Sequence, residues 1–520
     1  MQLNNGKGAV AAGHKLTVQS AENVLRAGGN AFDAVLAAYF TSFVCEPVLS
    51  SLGGGGFMLA HKENSEERLY DFFVQTPVEK KSTSEIEFYP IHANFGSASQ
   101  EFHIGAGSIA TPGSVKGLFA IHNDLCRMPL DTLAEQAVEL ANNGVEVNAF
   151  QSQVFEIIKT IYSNAPGTDK VFETPSKKSE VPVSGEIVKM PLLADFLYNL
   201  VREGEDFFYR GEISRAIHNI CKEKKGHLSQ EDLDRYKVVK RKPLETSFLG
   251  HKISMNSPPS SAGVLIAYAL ALFEGASSSA PLYGTSTTLK LLFEIMKNTH
   301  EVREKSVSQN NISESLNQLL DPGLIEESAQ KIINNPAFSR GTTHISVADE
   351  HGNIASLSTS NGEGSGHYIP GTGIMLNNML GEEDLNRGGF HKWQENRRMT
   401  SMMAPGIVFK ENGGFIVFGS GGSNRIRTAI FQVLLNILAF DMDSEEAIDA
   451  ARLHVEPGLI DIENGFDSAE IADFKNAEYR CRIWPGENLY FGGVHVVQRE
   501  PGGYFAYGDP RRGGHAQVIK

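Results

Sequence analysis

The sequence predicts an α+β fold in which helices lie against antiparallel strands. Apolar and polar side chains alternate in residues 343–360 on either side of a turn at residues 350–353, which is typical of a β-hairpin with one buried face. Apolar residues between 426 and 438 recur at helical spacing and predict a helix with one buried face. An apolar helix is also expected over residues 21–40, with Ser20 as its N-cap. These elements are consistent with layers of helices and sheets.

Composition restricts the class of partner. The chain has 520 residues, which is long enough for several domains or for one large core, and its net charge is −15. Nucleic acids and anionic membranes both favour a basic binding face, so we expect neither as a partner. A small-molecule or peptide substrate fits this charge better. The oligomeric state, including a homo-oligomer, stays open.

Four cysteines are spaced too widely for a metal knuckle or a CxxC redox pair, and they are too few for a disulfide framework: Cys45, Cys126, Cys221 and Cys481. We expect core thiols, no metal site and no cofactor. Residues 1–15 lack the apolar run of a signal peptide, and no later segment is a continuous membrane span. We therefore expect a cytoplasmic protein, or a periplasmic or secreted one if a leader has been removed.

Four consecutive glycines occupy residues 53–56, directly before the apolar Phe57 and Met58. A phosphate-binding loop would need a following Lys-Ser or Lys-Thr pair, or a GxGxxG spacing, and neither is present. We interpret these glycines as positions where the backbone passes close to another strand.

Two threonines, Thr342 and Thr343, open the predicted hairpin. Because β-branched residues suit strands, a structural role is the ordinary interpretation of such a pair. A chain break before Thr342 would give that residue an α-amine able to accept the Oγ proton while Oγ attacks a carbonyl. This is the N-terminal nucleophile arrangement.

The run from Gly341 to Asn378 resembles the γ-glutamyltranspeptidase family. The resemblance rests on a Thr-Thr-His-x-Ser-Val-x-Asp start, a His-Gly-Asn turn and a Pro-Gly-Thr-Gly-Ile-Met-Leu-Asn-Asn end. Further family-like segments extend it over nearly the whole chain: residues 28–38, 51–59, 111–115, 255–263, 419–424 and 508–514. The resemblance implies a four-layer αββα sandwich of the N-terminal nucleophile hydrolase class and a γ-glutamyltransferase or glutathione hydrolase activity.

The resemblance also implies a precursor that is cut between Gly341 and Thr342. The cut would give a large-subunit region, residues 1–341, and a small-subunit region, residues 342–520, which together form one αββα domain. Thr342 would then be the nucleophile and the first residue of the small subunit.

Further site residues follow from the same resemblance. Ser360 matches a family hydroxyl that hydrogen-bonds the nucleophile. Gly421 and Gly422 match the glycines of the oxyanion hole, and Ser423 stays open as an alternative because the alignment is ambiguous by one residue. Glycines at a helix N-terminus offer backbone N–H groups and the positive end of the dipole to an oxyanion. The implied substrate contacts are Asn361, Glu382, Thr400 and Ser401.

The sequence departs from the family pattern at the glutamyl subsite. Phe73 stands where the family has an Arg that binds the substrate α-carboxylate, and Met379 stands where a polar residue holds the α-amino group. We therefore predict weak γ-glutamyl binding, with Phe73 lining the substrate site. Segment 382–398 is shorter than the lid that covers the active site in many family members. This implies a more open entrance to the active site. His344 shares the face of Thr342, and we favour a structural role for it.

Two alternatives stay open. One is an acylase, or a depolymerase of γ-linked peptides, that uses the same machinery on a different acyl group. Phe73 favours it. The other is an uncut, inactive binding protein.

Overall fold

The structure is a computed structural model. It describes these residues: 3–4, 6–94, 99–165, 167–174, 180–276, 282–307, 318–320, 342–386, 388–476 and 479–520. Gly341, on one side of the predicted cut, lies outside the described residues, whereas Thr342 lies within them. Among the described helices, none combines the length and the apolar character that crossing a membrane requires.

The described strands, in chain order, are β1 Gly8–Ala12, β2 Gly55–His61, β3 Arg68–Phe72, β4 Tyr89–Asn94, β5 Ser99–Ile104, β6 Val145–Glu146, β7 Ile187–Val188, β8 Val239–Arg241, β9 Leu244–Phe248, β10 His251–Met255, β11 Thr343–Asp349, β12 Ile354–Ser360, β13 Tyr368–Ile369, β14 Ile374–Met375, β15 Gly406–Phe409, β16 Phe415–Gly421, β17 Leu453–Glu456, β18 Leu459–Glu463, β19 Arg480–Trp484, β20 Gly493–Glu500, β21 Gly503–Tyr507 and β22 His515–Ile519.

The described helices, in chain order, are α1 Lys15–Arg26, α2 Ala31–Cys45, α3 Ser114–Leu125, α4 Leu130–Asn143, α5 Ala149–Ile157, α6 Lys159–Asn164, α7 Thr168–Val171, α8 Pro191–Glu203, α9 Asp206–Tyr209, α10 Glu212–Glu223, α11 Gln230–Arg235, α12 Ala262–Ala276, α13 Ser286–Val307, α14 Arg425–Leu438 and α15 Ser444–Asp449.

Two antiparallel sheets form the centre of the molecule. The first has the strand order β22-β1-β11-β12-β2-β3-β8, and the second has the order β21-β20-β16-β15-β10-β9. In the first sheet β11 pairs with β12, with Thr343 opposite Thr359 and His344 opposite Ser358. The predicted hairpin is therefore confirmed, and it lies in the middle of its sheet.

The two sheets face each other, and helices cover both outer faces. Between the sheets, Ser346 Oγ donates to the His495 carbonyl at 3.2 Å and Ser356 Oγ donates to the Phe418 carbonyl at 3.0 Å. On the outer face of the first sheet, α2 packs against β11 and α1 packs against β1, in one apolar cluster. On the outer face of the second, α12 and α14 pack in another. The four-layer αββα arrangement is confirmed.

The helix expected over residues 21–40 is two helices, α1 and α2. The Ser20 cap is wrong, since Ser20 lies inside α1 and the N-cap is His14, whose Nδ1 accepts from the Leu16 N–H at 3.2 Å. Gly28, with φ of +89°, follows the end of α1. Asn30 then caps α2 in a capping box with Asp33.

The four glycines at residues 53–56, the last two of which begin β2, allow close backbone approach, as predicted. A side chain at Gly54 would place its Cβ 2.3 Å from the Ser360 carbonyl oxygen, and one at Gly56 would place it 2.4 Å from that of Ser358. These contacts press β2 against β12, the strand that ends at the candidate site.

Candidate active site

Thr342 lies directly before β11, and its carbonyl contacts Gly421, the last residue of β16 before the loop to α14. Only 5% of the Thr342 surface is exposed. A side chain at Gly421 would place its Cβ 2.1 Å from the Thr342 carbonyl oxygen, so only glycine fits there. Arg512 Nη1 donates to the same oxygen at 3.5 Å. The predicted nucleophile and the predicted oxyanion loop are therefore neighbours.

The loop after β16 presents two unused N–H donors. Gly422 and Ser423 have φ angles of +118° and +48°, which turn the chain sharply between strand and helix. The amides of Arg425 and Ile426, which follow, donate back to the carbonyls of Gly422 and Ser423 at 3.0 Å each. In contrast, the amides of Gly422 and Ser423 have no acceptor among the described residues. Buried backbone amides are nearly always paired, so two without an acceptor among the described residues stand out. Both are available to donate to a transient oxyanion.

Gly421 is the last residue of β16 and lies opposite Gly493 in the ladder. This position favours Gly422 and Ser423 as the two donors, with Gly421 serving the close contact to Thr342. The family alignment left Ser423 open as an alternative donor, and this position favours that alternative.

Buried polar side chains hold the loop between β16 and α14 in place. Asp384 accepts from Ser423 Oγ at 2.5 Å and from Asn424 Nδ2 at 2.9 Å. Arg303, at the far end of α13, donates to Asn424 Oδ1 at 2.6 Å and to the Asp384 carbonyl at 3.0 Å. Neither Asp384 nor Arg303 was predicted from the sequence, because each lies in a polar stretch where nothing local distinguishes it.

Ser360 lies where its hydroxyl can meet Thr342. Continuing the register of β11 and β12 by one residue places Ser360 directly opposite Thr342. Opposite residues of an antiparallel pair point to the same face with Cβ atoms about 5 Å apart. Ser360 Oγ also accepts from the Gly362 N–H at 3.0 Å, which fixes the turn that follows β12.

Asn361 is fully buried next to Ser360. Its Nδ2 donates to the Met375 carbonyl at 3.3 Å, whereas its Oδ1 accepts no hydrogen bond from the described residues. Glu382 lies close by, since a Cβ on Gly362 would be 2.9 Å from Glu382 Oε1. The structure thus brings two predicted substrate contacts to the turn after β12.

The hydroxyl of Ser401 is engaged in its own loop. Ser401 Oγ accepts from the Met403 N–H at 3.1 Å, and the Ser401 carbonyl accepts from Ser260 Oγ at 2.9 Å. Thr400, beside it, is partly exposed. These contacts join residues 400–403 to the loop before α12. The predicted substrate contacts Thr400 and Ser401 therefore lie where two loops meet.

Phe73 belongs to the core, with 1% of its surface exposed. Its ring stacks on that of Phe57 at 5.4 Å between centroids, and its carbonyl accepts from Tyr236 Oη at 2.6 Å and from the Arg398 guanidinium. Arg398 Nε also lies 3.3 Å from a carboxylate oxygen of buried Asp71. Position 73 therefore supplies a phenyl ring that is committed to packing and no side-chain cation.

His344 is enclosed between the sheets. Its Nδ1 and Nε2 make hydrogen bonds of 2.8 and 2.9 Å with Ser358 Oγ and Ser346 Oγ. Burial holds the pKa of His344 well below its usual value, so the ring is neutral. With both nitrogens engaged, the contacts support the structural role.

Glu46 is a buried acid in contact with Thr343, the residue after the predicted nucleophile, and it was not predicted from the sequence. Its carboxylate accepts from Thr343 Oγ1 at 2.6 Å and from Thr17 Oγ1 at 3.3 Å. Burial raises the pKa of Glu46 to about 7, although the two hydroxyls oppose the rise. The available signal was an acidic residue at the end of the apolar helix α2.

We predict that Glu46 makes stability depend on pH. Its pKa rises from 4.5 in the unfolded chain to about 7 in the fold. The folded state therefore binds the proton more tightly, and stability falls by about 3 kcal/mol as pH rises from 4.5 to 7. Urea unfolding at pH 5 and pH 8 should show a larger fall for the parent than for Glu46→Gln. Equal falls would contradict this assignment, and Glu66→Gln, in an exposed turn, is the matched control.

The described side chains form no metal-binding cluster. No group of three or more His, Cys, Asp or Glu side chains among the described residues is placed to hold a metal ion. All four cysteines are free thiols, of which Cys45 and Cys221 are buried.

Comparison with known proteins gives a consistent family. The gamma-glutamyltranspeptidase family model matches residues 17–519. A glutathione hydrolase proenzyme of Escherichia coli is 28% identical over 493 residues, covering 88% of this chain and 83% of that protein. The Acylase ACY 1 proenzyme of a Pseudomonas species is 27% identical over 483 residues, covering 90% and 86%.

The solved structure of a cephalosporin acylase from Bacillus halodurans shares the fold. It superposes with a TM-score of 0.83 at 22% identity and covers 100% of this chain and 97% of that one. A family match over nearly the full length, together with the αββα layers, leads to one assignment. The chain belongs to the γ-glutamyltranspeptidase family and is an enzyme of the N-terminal nucleophile hydrolase class.

Proposed function

We propose that the chain is cut between Gly341 and Thr342, and that Thr342 then transfers an acyl group from an amide to water or to an amine. The observation that carries this proposal is the convergence on Thr342 of the opposite residue Ser360 and of the Gly421 loop with its two unused amides. The names of the two curated relatives, which describe proenzymes, support the cut.

Each group has one part in the proposed reaction. The α-amine of Thr342 accepts the Oγ proton, and Oγ attacks the carbonyl carbon of the substrate amide. The amides of Gly422 and Ser423 hold the resulting oxyanion. As the C–N bond breaks, the proton passes to the leaving amine and an ester remains on Thr342. Water or an acceptor amine then attacks this ester and restores the hydroxyl.

Maturation uses the same hydroxyl. In the uncut chain Thr342 Oγ attacks the carbonyl of Gly341, and the peptide bond becomes an ester that water hydrolyses. The products are residues 1–341, which end in a carboxylate, and residues 342–520, which begin with the α-amine that turnover requires.

We further propose that acyl donors with an apolar group are preferred over simple γ-glutamyl amides. Phe73 supplies no cation, and Arg398 is engaged by Asp71 and Tyr236. Arg425 stacks on the Tyr490 ring with 3.7 Å from guanidinium carbon to ring centroid, and its buried guanidinium nitrogens have no hydrogen-bond partner among the described residues, so it is the alternative cation for a substrate carboxylate. An acylase is therefore the second candidate, and an acylase among the relatives agrees with it.

We predict the order of two donors with the same leaving group. A missing charge-assisted hydrogen bond is worth roughly 1.5 to 3 kcal/mol, so kcat/KM on a γ-glutamyl anilide should be about ten- to a hundredfold below that on a good apolar acyl anilide. Steady-state kinetics on purified, cut enzyme measures both. A higher kcat/KM on the glutamyl compound than on every apolar donor would contradict the prediction and indicate that the enzyme is specific for γ-glutamyl compounds.

A further inference from the structure

Glu46 contacts Thr343, the residue after the proposed nucleophile, on the face of β11 that packs against the helices. The strand alternates its faces: Ile345 and Val347 pack with the helix layer, whereas His344 lies against Gly419 of the second sheet. The side chain of Thr343 therefore points to the helix layer, where its Oγ1 donates a hydrogen bond to Glu46 Oε2 at 2.6 Å. A group in this place touches no substrate, and it acts on Thr342 only through Thr343.

We propose that Glu46 is a positioning residue for Thr342, because it holds the start of β11 through the hydroxyl of Thr343. This inference rests on the proposal that Thr342 is the nucleophile. Once the bond to Gly341 is cut, Thr342 keeps a covalent attachment only through Thr343. The hydrogen bond to Glu46 then ties the new N-terminus to the large-subunit region.

The contact is built to exclude water and other side chains. Glu46 is fully buried, and a Cβ on Gly13 would lie 2.5 Å from its Oε2 and 2.9 Å from Thr343 Oγ1. The carboxyl oxygens have two hydrogen-bond partners among the described residues, the hydroxyls of Thr17 and Thr343, and the O–H of the protonated acid donates to one of them. The carboxyl group is thus enclosed by a glycine and two small hydroxyl-bearing side chains.

The surroundings favour the uncharged acid. Glu46 is the C-cap of α2, where the negative end of the helix dipole opposes an anion. Cys45, beside it, is a neutral thiol because burial raises its pKa well above the usual value. His14, at the start of α1, is neutral because burial lowers its pKa to about 4, and His515 of β22 faces His14. None of these groups supplies a fixed cation to an ionised Glu46.

Ionisation of Glu46 has a consequence for the reaction. An anion near the N-terminus favours the protonated α-amine, whereas Thr342 needs that amine uncharged to accept the Oγ proton. Activity is therefore expected to rise with pH as the amine loses its proton, and to do so at a higher pH in the parent than in a variant whose residue 46 cannot ionise. In Glu46→Gln the amide oxygen still accepts from Thr343 and the NH₂ group donates to Thr17, but nothing ionises.

The test compares pH–rate profiles of cut enzyme, recorded on one anilide donor between pH 5.5 and 9. For Glu46→Gln, kcat at pH 6 should lie within about threefold of the parent, and kcat should reach its high-pH plateau at a lower pH than in the parent. Glu46→Ala and Thr343→Val should each lose about ten- to a hundredfold in kcat, with KM within about threefold. Glu66→Gln, in the exposed turn between β2 and β3, should match the parent throughout.

Two results would overturn the inference. A Glu46→Gln profile that coincides with the parent would show that Glu46 does not set the pH response. A loss in Glu46→Gln equal to that in Glu46→Ala at every pH would show that a neutral hydrogen-bonding group at this position does not hold Thr343. Circular dichroism separates unfolding of the alanine variant from loss of positioning, and the near-isosteric glutamine variant remains decisive if the alanine variant unfolds. An uncut, inactive parent would instead overturn the Thr342 proposal, and this inference with it.

Discussion

Replacing Thr342 by alanine is expected to leave the 520-residue chain in one piece and to abolish turnover. The same Oγ must attack the Gly341 carbonyl during maturation and the substrate carbonyl during catalysis, and alanine has no nucleophile. A denaturing gel should show one band for Thr342→Ala and two for the parent. Kinetics on an anilide donor should show no activity above background.

Two further variants sharpen this test. Thr342→Ser keeps a hydroxyl and should still be cut and active. Thr132→Ala removes an exposed threonine of α4 and should behave as the parent. A cut that persists in Thr342→Ala would contradict autocatalysis. A parent chain that never appears as two bands would support the uncut binding protein.

Gly421→Ala is expected to lower kcat on the order of 10²-fold. Its Cβ would lie 2.1 Å from the Thr342 carbonyl oxygen, and neither atom belongs to a flexible side chain. Strand and loop must therefore separate by about 1 Å, and a displacement of that size between a nucleophile and its oxyanion donors costs about 10²-fold. Steady-state kcat of the cut enzyme measures the effect.

The control for this variant is Gly275→Ala in α12, where an added Cβ meets no atom within 4 Å. Its kcat should equal that of the parent. A cut Gly421→Ala enzyme with parental kcat would show that the contact does not align the site. Proline at Gly422 is a poorer probe of the same loop, because the φ of +118° there is closed to proline.

Local periodicity accounts for what the sequence predicts well. Alternation over β11 and β12 is sufficient for the hairpin, and helical spacing is sufficient for α14. The four layers came from the family resemblance and are confirmed. The Ser20 cap failed because two glycines and Asn30 divide one apolar run into two helices, and propensity alone did not weigh that break.

Contacts between distant residues account for what the sequence could not show. Glu46 and Thr343 are 297 residues apart, and neither position has a local pattern that pairs it with the other. The same holds for Arg303 and Asn424, which are 121 residues apart. The burial of Phe73 against Phe57 likewise depends on how the chain after β3 packs on the second layer. These are properties of the assembled sheets.

The site assignments share one central claim, that Thr342 becomes an N-terminal nucleophile. The most direct measurement is a trapping experiment on purified protein. The enzyme is mixed with a slowly hydrolysed acyl donor, quenched in acid and mapped by peptide mass spectrometry. We predict a fragment that begins at Thr342 and carries the acyl group on that residue. A fragment that begins elsewhere, or an acyl group on Thr343 or Ser360, would contradict the claim.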